Sequence, residues 1–292
     1  MTQQTPLTPD SKLGDLTIRE QIGSGDTGEV YRAWDPELES DIAIKILPPD
    51  LTRDPATVSR FERSIDLLAG LTHPAIARLY GYQEIGEYRV LKMELTEGVV
   101  LSRVLWSNPC EVEEAVSYAK QIASGLDHAH RRRIIHGHLQ PNEIRLSASG
   151  EVKIFDFGLT RTIEMLEGEM ELDLKSTLER LARPSGALSG TSYQSPEQML
   201  EKFDERTDIW ALGIILWEML VGINPFLRGS ISETAKAIVK EEPDWTSLPE
   251  TVPPHVRRAL QLSLRKSPSK RLRSAADFTI ELTTPIGDLS TL

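Results

Sequence analysis

Cysteine, long apolar runs and positive charge are all scarce in this sequence. Its 292 residues include one cysteine, Cys110, so a disulfide within the chain is excluded and a reducing compartment is favoured. The most apolar uncharged run, Ile209–Trp217, is nine residues long, whereas a membrane-spanning helix needs about 20. Lys and Arg number 33 against 44 Asp and Glu, a net charge of -11, which argues against a nucleic-acid partner. We therefore expect a cytoplasmic protein with no membrane segment in this chain.

The remaining composition is that of a folded protein. Hydrophobic residues make up 39% and charged residues 26%, which is enough apolar material for a substantial core. The first ten residues, MTQQTPLTPD, contain neither a basic cluster nor an apolar stretch, so they do not predict a signal peptide. We expect them to belong to a disordered tail.

Two kinds of hydrophobic pattern follow one another along the chain. From Leu16 to about Glu94 the sequence is rich in short β-branched and aromatic runs, interrupted by one helical pattern at 58–71. After Gly98 the pattern is mainly helical. The segments with helical patterns are Glu111–His130, Asp208–Gly222, Leu248–Arg265 and Ala275–Thr283. The predicted fold class is α+β, with a small β-rich lobe that has one main helix and a larger α-helical lobe.

A glycine-rich stretch is the first motif with chemical meaning. Gly23, Gly25 and Gly28 are spaced so that backbone N–H groups can approach phosphates without a Cβ between them. A dinucleotide-binding fold has the same spacing, but it requires a helix directly after the glycines. Here strand-like residues follow, and Lys45 lies in the next strand-like run. This pattern favours a hairpin above a nucleotide, with Lys45 reaching its phosphates.

A resemblance to a known family rests on several motifs that occur in order. The chain resembles a bacterial serine/threonine protein kinase domain from about Leu16 to Phe278. The motifs that carry the resemblance are GSGDTGEV, AIK, LKMELTEG, IIHGHLQPNEIRL, DFG, GTSYQSPEQ, DIWALG and KSPSKRL. The resemblance implies a bilobal protein-kinase-like fold with a nucleotide cleft between the lobes.

The same resemblance implies domain boundaries and a nucleotide site. One kinase-like domain spans 12–285, with an N-lobe at 12–95 and a C-lobe at 96–285 that includes the activation segment 156–197. The segments 1–11 and 286–292 are expected to be tails. The nucleotide-binding residues implied are Ile22, Gly23, Ser24, Gly25, Gly28, Val30, Ala43, Lys45, Met93, Glu94 and Leu95.

The catalytic loop departs from the family pattern HRDLKPEN, since the chain reads HGHLQPNE from His136. His138 occupies the position of the aspartate that accepts the substrate proton, and Gln140 that of the lysine beside the transferred phosphoryl group. Glu143 replaces the asparagine that binds the second Mg²⁺, and Gly137 replaces an arginine. Because phosphoryl transfer depends on positioning and charge stabilisation, these changes remove much of what the loop supplies.

Further departures affect the metal, the ion pair and the base site. Asp156 keeps the metal-binding position and Glu143 is the weaker second ligand, so the resemblance implies ATP, bound with or without Mg²⁺. Ser64 falls where a glutamate would pair with Lys45. Arg145 replaces the apolar residue beneath the adenine, and its guanidinium must either turn out of the cleft or crowd the base.

The activation segment adds a charged feature. Glu164–Glu179 contains six acidic residues and one lysine, and Met170, Leu174, Leu178 and Leu181 recur at helical spacing. The pattern predicts a helix that either rests on its own lobe, or docks a partner or blocks the cleft. A basic surface is the partner that its charge favours.

Three hypotheses about function remain. The altered loop leads us to expect a pseudokinase rather than an enzyme, which regulates or scaffolds a protein partner such as an active kinase. The alternative is a weakly active serine/threonine kinase that uses ATP, with His138 as the base. A third hypothesis keeps the nucleotide and transfers another group.

Overall fold

A computed structural model describes residues 7–25, 28–47, 62, 65–157, 190–200 and 204–284. Ser64, most of the activation segment and its predicted acidic helix lie outside these described residues. So do residues 58–61 and 63 of the helical pattern at 58–71, within which 65–69 is helical. The boundary expected between residues 95 and 96 stays a prediction.

The N-terminal part of the chain forms an antiparallel sheet of six strands. In chain order the strands are β1 (Lys12–Leu13), β2 (Leu16–Gly25), β3 (Gly28–Asp35), β4 (Ser40–Ile46), β5 (Leu79–Ile85) and β6 (Tyr88–Met93). Their order across the sheet is β1-β2-β3-β4-β6-β5. The strand-like pattern at Leu16–Glu94 is thus confirmed. Upstream of β5, Ile76 makes an isolated parallel bridge with Ile154.

The two faces of this sheet carry different side chains. One face holds an apolar cluster made by Leu13, Leu16, Ile18, Tyr31, Ala33, Ile42, Ile44, Ile46 and Val90. Because side chains alternate along a strand, Ala43 and Lys45 point to the opposite face. Val30 is the cross-strand partner of Lys45, and Met93 that of Ala43, so these four residues share that second face.

A small three-stranded sheet follows the linker that leaves β6. Its strands are β7 (Val99–Val100), β8 (Ile144–Leu146) and β9 (Val152–Ile154), in the order β7-β8-β9. Gly98, just before β7, has a φ of 107°, and a Cβ there would lie 2.2 Å from the carbonyl oxygen of Leu146. Only glycine therefore allows the linker to pass this closely over β8.

The rest of the described chain is mainly helical. The helices are α1 (Leu101–Leu105), α2 (Val112–His130), α3 (Arg206–Val221), α4 (Ile231–Lys240), α5 (Pro254–Ser263) and α6 (Ala275–Glu281). Short 3₁₀ turns occur at Pro141–Glu143, Gln198–Leu200, Trp245–Ser247 and Pro268–Lys270. Helix α3 is buried on nearly all sides, as its apolar sequence predicts, and packs against α2 and α5.

One helix is shorter than its sequence pattern. The periodicity from Leu248 to Arg265 produces a helix only from Pro254, because Pro253 and Pro254 suit a helix start and exclude its interior. The observed architecture, a β-sheet lobe joined to a helical lobe, is the α+β class that the sequence predicts. Within the described ranges, no helix combines the length and apolar character needed to cross a membrane.

Candidate functional site

An ion pair between the two lobes marks the candidate site. The Lys45 ammonium on β4 lies 2.6 Å from a carboxylate oxygen of Asp156, which follows β9. The lysine side chain is only 4% exposed, so the charge is compensated by this close partner. Asp156 has a φ of 55°, an uncommon conformation for a residue other than glycine. Strain of this kind accumulates at functional sites and directs the carboxylate toward Lys45 rather than into its own turn.

The glycine hairpin covers the same side of the sheet. Gly23 pairs with Val30, and Gly25 pairs with Gly28, so the hairpin closes at the glycines. Gly28 has a φ of 125°, and a Cβ there would lie 2.0 Å from the backbone oxygen of Ile46. The hairpin can therefore pack on β4 only with glycine at this position. Ile22 and Ser24 lie in the same strand, whereas residues 26–27 at the tip are outside the described chain.

The linker between the lobes is held by ionic and backbone contacts. Met93 ends β6, and Glu94 and Leu95 follow it. One carboxylate oxygen of Glu94 accepts from the backbone N–H of Arg78 at 2.9 Å, and the other lies 2.7 Å from the Lys153 ammonium on β9. The Glu94 side chain is thus bound within the protein, and only the backbone of this residue can face a base.

The Arg145 side chain turns out of the cleft, which is one of the two orientations expected from the sequence. Its Nη1 donates to the carbonyl oxygens of Thr96 at 3.2 Å and Gly98 at 3.5 Å. The guanidinium carbon lies 5.7 Å from the centre of the Phe155 ring. Burial lowers the pKa of Arg145, and the linker carbonyls and the ring compensate for this desolvation. The side chain is therefore directed toward the linker.

The three altered residues of the catalytic loop form one group. The Gln140 amide nitrogen lies 3.2 Å from Nδ1 of His138 and donates to a Glu143 carboxyl oxygen at 3.5 Å. Asn142, the neighbour that could have replaced the lost asparagine, is exposed instead. Burial, and then the Asp156 carboxylate, raise the pKa of Glu143 well above its ordinary value, while Lys45 opposes the shift. Lys45, Glu143 and Asp156 therefore share one electrostatic environment.

Asp208 at the start of α3 fixes the backbone of this loop. It accepts from the backbone N–H groups of His136 and Gly137, both at 2.8 Å, and lies 2.8 Å from Nε2 of His130. Although burial opposes it, these partners hold the pKa of Asp208 below its ordinary value. Gly137 has a φ of 74°, a conformation in which the family arginine would be strained. Asp208 therefore anchors the backbone of the catalytic loop at two successive residues.

The donor chemistry of the site suits a divalent cation. Asp156 and Glu143 supply carboxyl oxygens, the ligands that Mg²⁺ prefers. The Asp156 carboxylate disfavours the charged form of Glu143 and raises its pKa, and a cation between the two groups would relieve this repulsion. No group of three or more His, Cys, Asp or Glu residues suited to a metal occurs in the part of the chain that the structure describes. The two carboxyl groups therefore fit a metal that also binds phosphate oxygens or water.

The structure brings the sequence-derived site residues to one region, with two additions. Val30, Ala43, Lys45 and Met93 share a sheet face, and Lys45 connects them to Asp156 and Glu143. Sequence reasoning missed Lys153 and Phe155, which contact Glu94 and Arg145. The sequence did contain an indication of these two residues. Side chains alternate along the strand before Asp156, so residues 153 and 155 lie on the same face. Ser64 lies outside the described residues, so its effect on Lys45 stays a prediction.

The glycine hairpin, the helical lobe and the ion pair between Lys45 and Asp156 are together typical of the protein kinase fold. The protein kinase domain family matches residues 16–279, and the chain belongs to that family. The crystal structure of the PknI kinase domain of Mycobacterium tuberculosis has the same fold, with a TM-score of 0.71 at 21% identity. The match covers 95% of this chain and 98% of that one.

Two curated bacterial proteins illustrate the sequence similarity. The serine/threonine-protein kinase PknB of Mycolicibacterium smegmatis is 30% identical over 97% of this chain. The serine/threonine-protein kinase PrkC of Bacillus subtilis is 31% identical over 93% of this chain. The chain spans 44% of the length of the first relative and 40% of the second.

These relatives correct one expectation. The altered catalytic loop led us to expect a protein that is not an enzyme, and that inference is wrong. Relatives at about 30% identity over most of the chain are named serine/threonine-protein kinases, which points to a kinase enzyme. The sequence argument gave the loop substitutions too much weight, because Lys45 and Asp156 retain their pairing.

Proposed function

We propose that this chain is a serine/threonine protein kinase domain of low activity. It binds ATP between its lobes and transfers the γ-phosphate to hydroxyl groups of protein substrates. The observation that carries the proposal is the 2.6 Å ion pair between Lys45 and Asp156, which places a phosphate-binding cation beside a metal-binding carboxylate. The names of the relatives support the same reaction.

The roles of the charged residues follow from their positions. Lys45 projects from β4 and binds phosphate oxygens of the nucleotide. The glycine hairpin, in which Gly25 pairs with Gly28, lies above these phosphates. Asp156 and Glu143 would hold Mg²⁺, which would neutralise charge on the phosphates. When the nucleotide binds, its phosphates compete with Asp156 for Lys45. The ion pair thus keeps both groups in the cleft before ATP arrives.

The catalytic loop explains why the rate is low. His138 stands where the substrate proton is accepted, and an imidazole can accept a proton near neutral pH. The amide nitrogen of Gln140 lies 3.2 Å from Nδ1 of His138, so a proton can be accepted at Nδ1 only when this contact breaks. An amide carries no charge, however, and cannot neutralise the phosphoryl group as a lysine does. Transfer therefore depends mainly on Lys45 and on the metal.

Substrate, partner and location are predictions that depend on the whole protein. The acidic segment Glu164–Glu179 favours a substrate or regulatory partner with a basic surface. The single cysteine favours the cytoplasm.

Phosphate transfer tests the proposal directly. Incubation with radiolabelled ATP and Mg²⁺ is expected to label the chain itself or a basic protein substrate slowly. Lys45→Ala should reduce this labelling by about 100-fold, because it removes the cation that binds the phosphates. The matched control is Lys92→Ala on the neighbouring strand β6, where Lys92 pairs with Asp35 at 3.1 Å outside the cleft. That variant should retain its labelling.

Either of two results would contradict the proposal. If the folded protein transfers no phosphate with Mg²⁺ or Mn²⁺, or if Lys45→Ala and Lys92→Ala label equally, the chain is not a kinase of this type.

A further inference from the structure

The side chain of Gln198 connects the chain just after the activation segment to the catalytic loop. Gln198 begins a 3₁₀ turn, and the two ends of its side-chain amide contact different parts of the protein. Its Oε1 accepts a hydrogen bond from the backbone N–H of Ser195 at 2.7 Å. Its Nε2 donates to the backbone carbonyl oxygen of Gly137 at 2.7 Å, 61 positions away in the sequence. The amide oxygen thus faces a donor and the amide nitrogen faces an acceptor, as their chemistry requires.

The segment from which Gln198 projects is fixed to the helical lobe. Ser195 is fully buried, and its hydroxyl lies 3.1 Å from that of Thr207 near the start of α3. Glu197 is paired with the buried Arg271, with one nitrogen–oxygen distance of 3.0 Å. Because both residues are held by the lobe, the Gln198 amide has a defined position from which to bind the catalytic loop.

The carbonyl that Gln198 binds belongs to the peptide unit in front of His138. The carbonyl oxygen of Gly137 and the backbone N–H of His138 are parts of one planar group, so a constraint on one orients the other. Asp208 accepts from the N–H of Gly137 at 2.8 Å, but that N–H belongs to the preceding peptide unit. The N–H of His138 lies 3.4 Å from Nδ1 of His136, which is a longer contact. The bond from Gln198 is therefore the shorter of these two constraints on the His138 unit.

A glycine at position 137 makes this constraint important. Gly137 has a φ of 74°, and because it lacks a Cβ its backbone can adopt many values of ψ. The peptide unit that follows it can therefore rotate at a lower cost than it could after a residue with a side chain. Uncompensated rotation at Gly137 would move the Cα of His138, and with it the imidazole.

The imidazole of His138 also lies against the activation segment. A Cβ built on Gly190 of this segment would lie 3.4 Å from Nε2 of His138. The chain from Gly190 to Gln198 thus borders both the ring of His138 and the peptide unit in front of it. Displacing a reacting group by about 1 Å can lower a rate by about 100-fold, so small shifts of this unit would affect transfer.

We propose that Gln198 is a positioning residue for His138, whose amide holds the catalytic loop in the arrangement used for phosphate transfer. The inference rests on the proposed function, because His138 accepts a substrate proton only in a kinase. Gln198 acts through the backbone of Gly137, whereas the phosphates of the nucleotide are bound by Lys45. Loss of the Gln198 amide should therefore lower kcat and leave KM for ATP unchanged.

The test is steady-state phosphate transfer to a basic protein substrate, with Mg²⁺, by wild type and by Gln198→Glu. Glutamate has the size of glutamine and keeps an oxygen for the Ser195 N–H, but its second oxygen repels the Gly137 carbonyl. We expect kcat to fall by about tenfold or more and KM for ATP to change by less than about twofold. Gln198→Met has a similar length without a donor or a charge. It should give the same result, and it decides the question if Gln198→Glu does not fold.

Gln121 on α2 provides a matched control, because its amide makes the same two kinds of contact elsewhere. Its Nε2 donates to the carbonyl oxygen of Gly150 at 2.9 Å, and its Oε1 accepts from the backbone N–H of Val152 at 3.0 Å. Gln121→Glu therefore removes an equivalent hydrogen bond from the turn between β8 and β9. It should lower the urea unfolding midpoint about as much as Gln198→Glu does, whereas kcat should stay within about twofold of wild type.

The inference and the proposed function fail in different ways. If wild type transfers phosphate and both Gln198 variants keep kcat within about twofold, or lose activity only through KM for ATP, the inference alone is overturned. The same holds if Gln121→Glu lowers kcat as much as Gln198→Glu, because the loss then follows from stability. If the folded wild type transfers no phosphate, the proposed function is overturned and the inference with it.

Discussion

Single buried charges and imidazoles hold the catalytic loop of this protein in place. His136 is fully buried, and its ring packs 4.8 Å from that of Phe157. Its backbone N–H donates to Asp208, which also accepts from Gly137. Desolvation lowers the pKa of His136 from 6.5 to about 4, so the ring is a neutral structural element at neutral pH.

This shift predicts how His136 contributes to the pH dependence of stability. Between pH 6.5 and about 4 the unfolded chain binds a proton that the folded imidazole excludes. The contribution of neutral His136 to the free energy of unfolding is therefore fully present above pH 6.5. It decreases by up to about 3 kcal/mol as the pH falls toward 4. His136→Leu should therefore make the decrease in unfolding free energy between pH 6.5 and 4.5 smaller, as measured by urea unfolding.

The comparison with wild type isolates this contribution. The raised pKa of Glu143 acts in the opposite direction in the same pH range, but it is present in both proteins. Equal slopes for His136→Leu and wild type would show that His136 does not titrate as its burial requires.

At the scale of elements, a glycine decides how closely the linker approaches the small sheet. Gly98 lets the linker cross β8 at Leu146, where a Cβ would lie 2.2 Å from the carbonyl oxygen. The same crossing brings the Thr96 and Gly98 carbonyls within reach of Arg145. The position of the linker and the contacts of Arg145 are therefore coupled.

Substitutions at two glycines distinguish the energetic cost of backbone strain from that of a steric clash. Gly150 also has a positive φ, of 81°, but a Cβ there would meet only Tyr118 at 3.8 Å. Gly150→Ala should cost about 1 kcal/mol of unfolding free energy, which is the strain of the left-handed conformation. Gly98→Ala should cost more than about twice as much, because the strand or the linker must also move. Urea unfolding measures both, and equal losses would contradict the close approach.

At the scale of the whole molecule, a buried ion pair joins distant parts of the helical lobe. Arg271, 3% exposed, donates to Glu197 at the end of the activation segment, with one nitrogen–oxygen distance of 3.0 Å. It also donates to the backbone oxygen of Arg206 at 2.8 Å and lies 5.1 Å from the Trp210 ring. One side chain thus connects the activation segment, the start of α3 and the turn before α6.

Loss of this pair should destabilise the lobe as a unit. Arg271→Met leaves the Glu197 carboxylate buried without its cation and should cost about 3–5 kcal/mol. Arg273→Met, two residues away, removes an exposed pair with Asp277 and should change stability by less than about 1 kcal/mol. Similar unfolding midpoints in urea for the two variants would contradict the bridging role of Arg271.

The sequence was a good guide to elements and to the order of motifs. The alternation of Ile42, Ile44 and Ile46 specified a strand with Lys45 on its other face, and the all-apolar stretch after Asp208 specified a buried helix. It failed where proline interrupts a periodic pattern, as at Pro254. It also led us to expect a protein that is not an enzyme, whereas relatives named serine/threonine-protein kinases point to a kinase enzyme.

By itself, the sequence determined the strands and the central helix, because these depend on neighbours within a few positions, and its resemblance to protein kinases identified the catalytic loop. Only the tertiary structure decided that Arg145 turns to the linker, that Asp208 holds two loop amides and that Arg271 meets Glu197. Arg271 and Glu197 are 74 positions apart in the sequence. Long side chains have many rotamers of similar energy, and the partner that folding brings near selects among them.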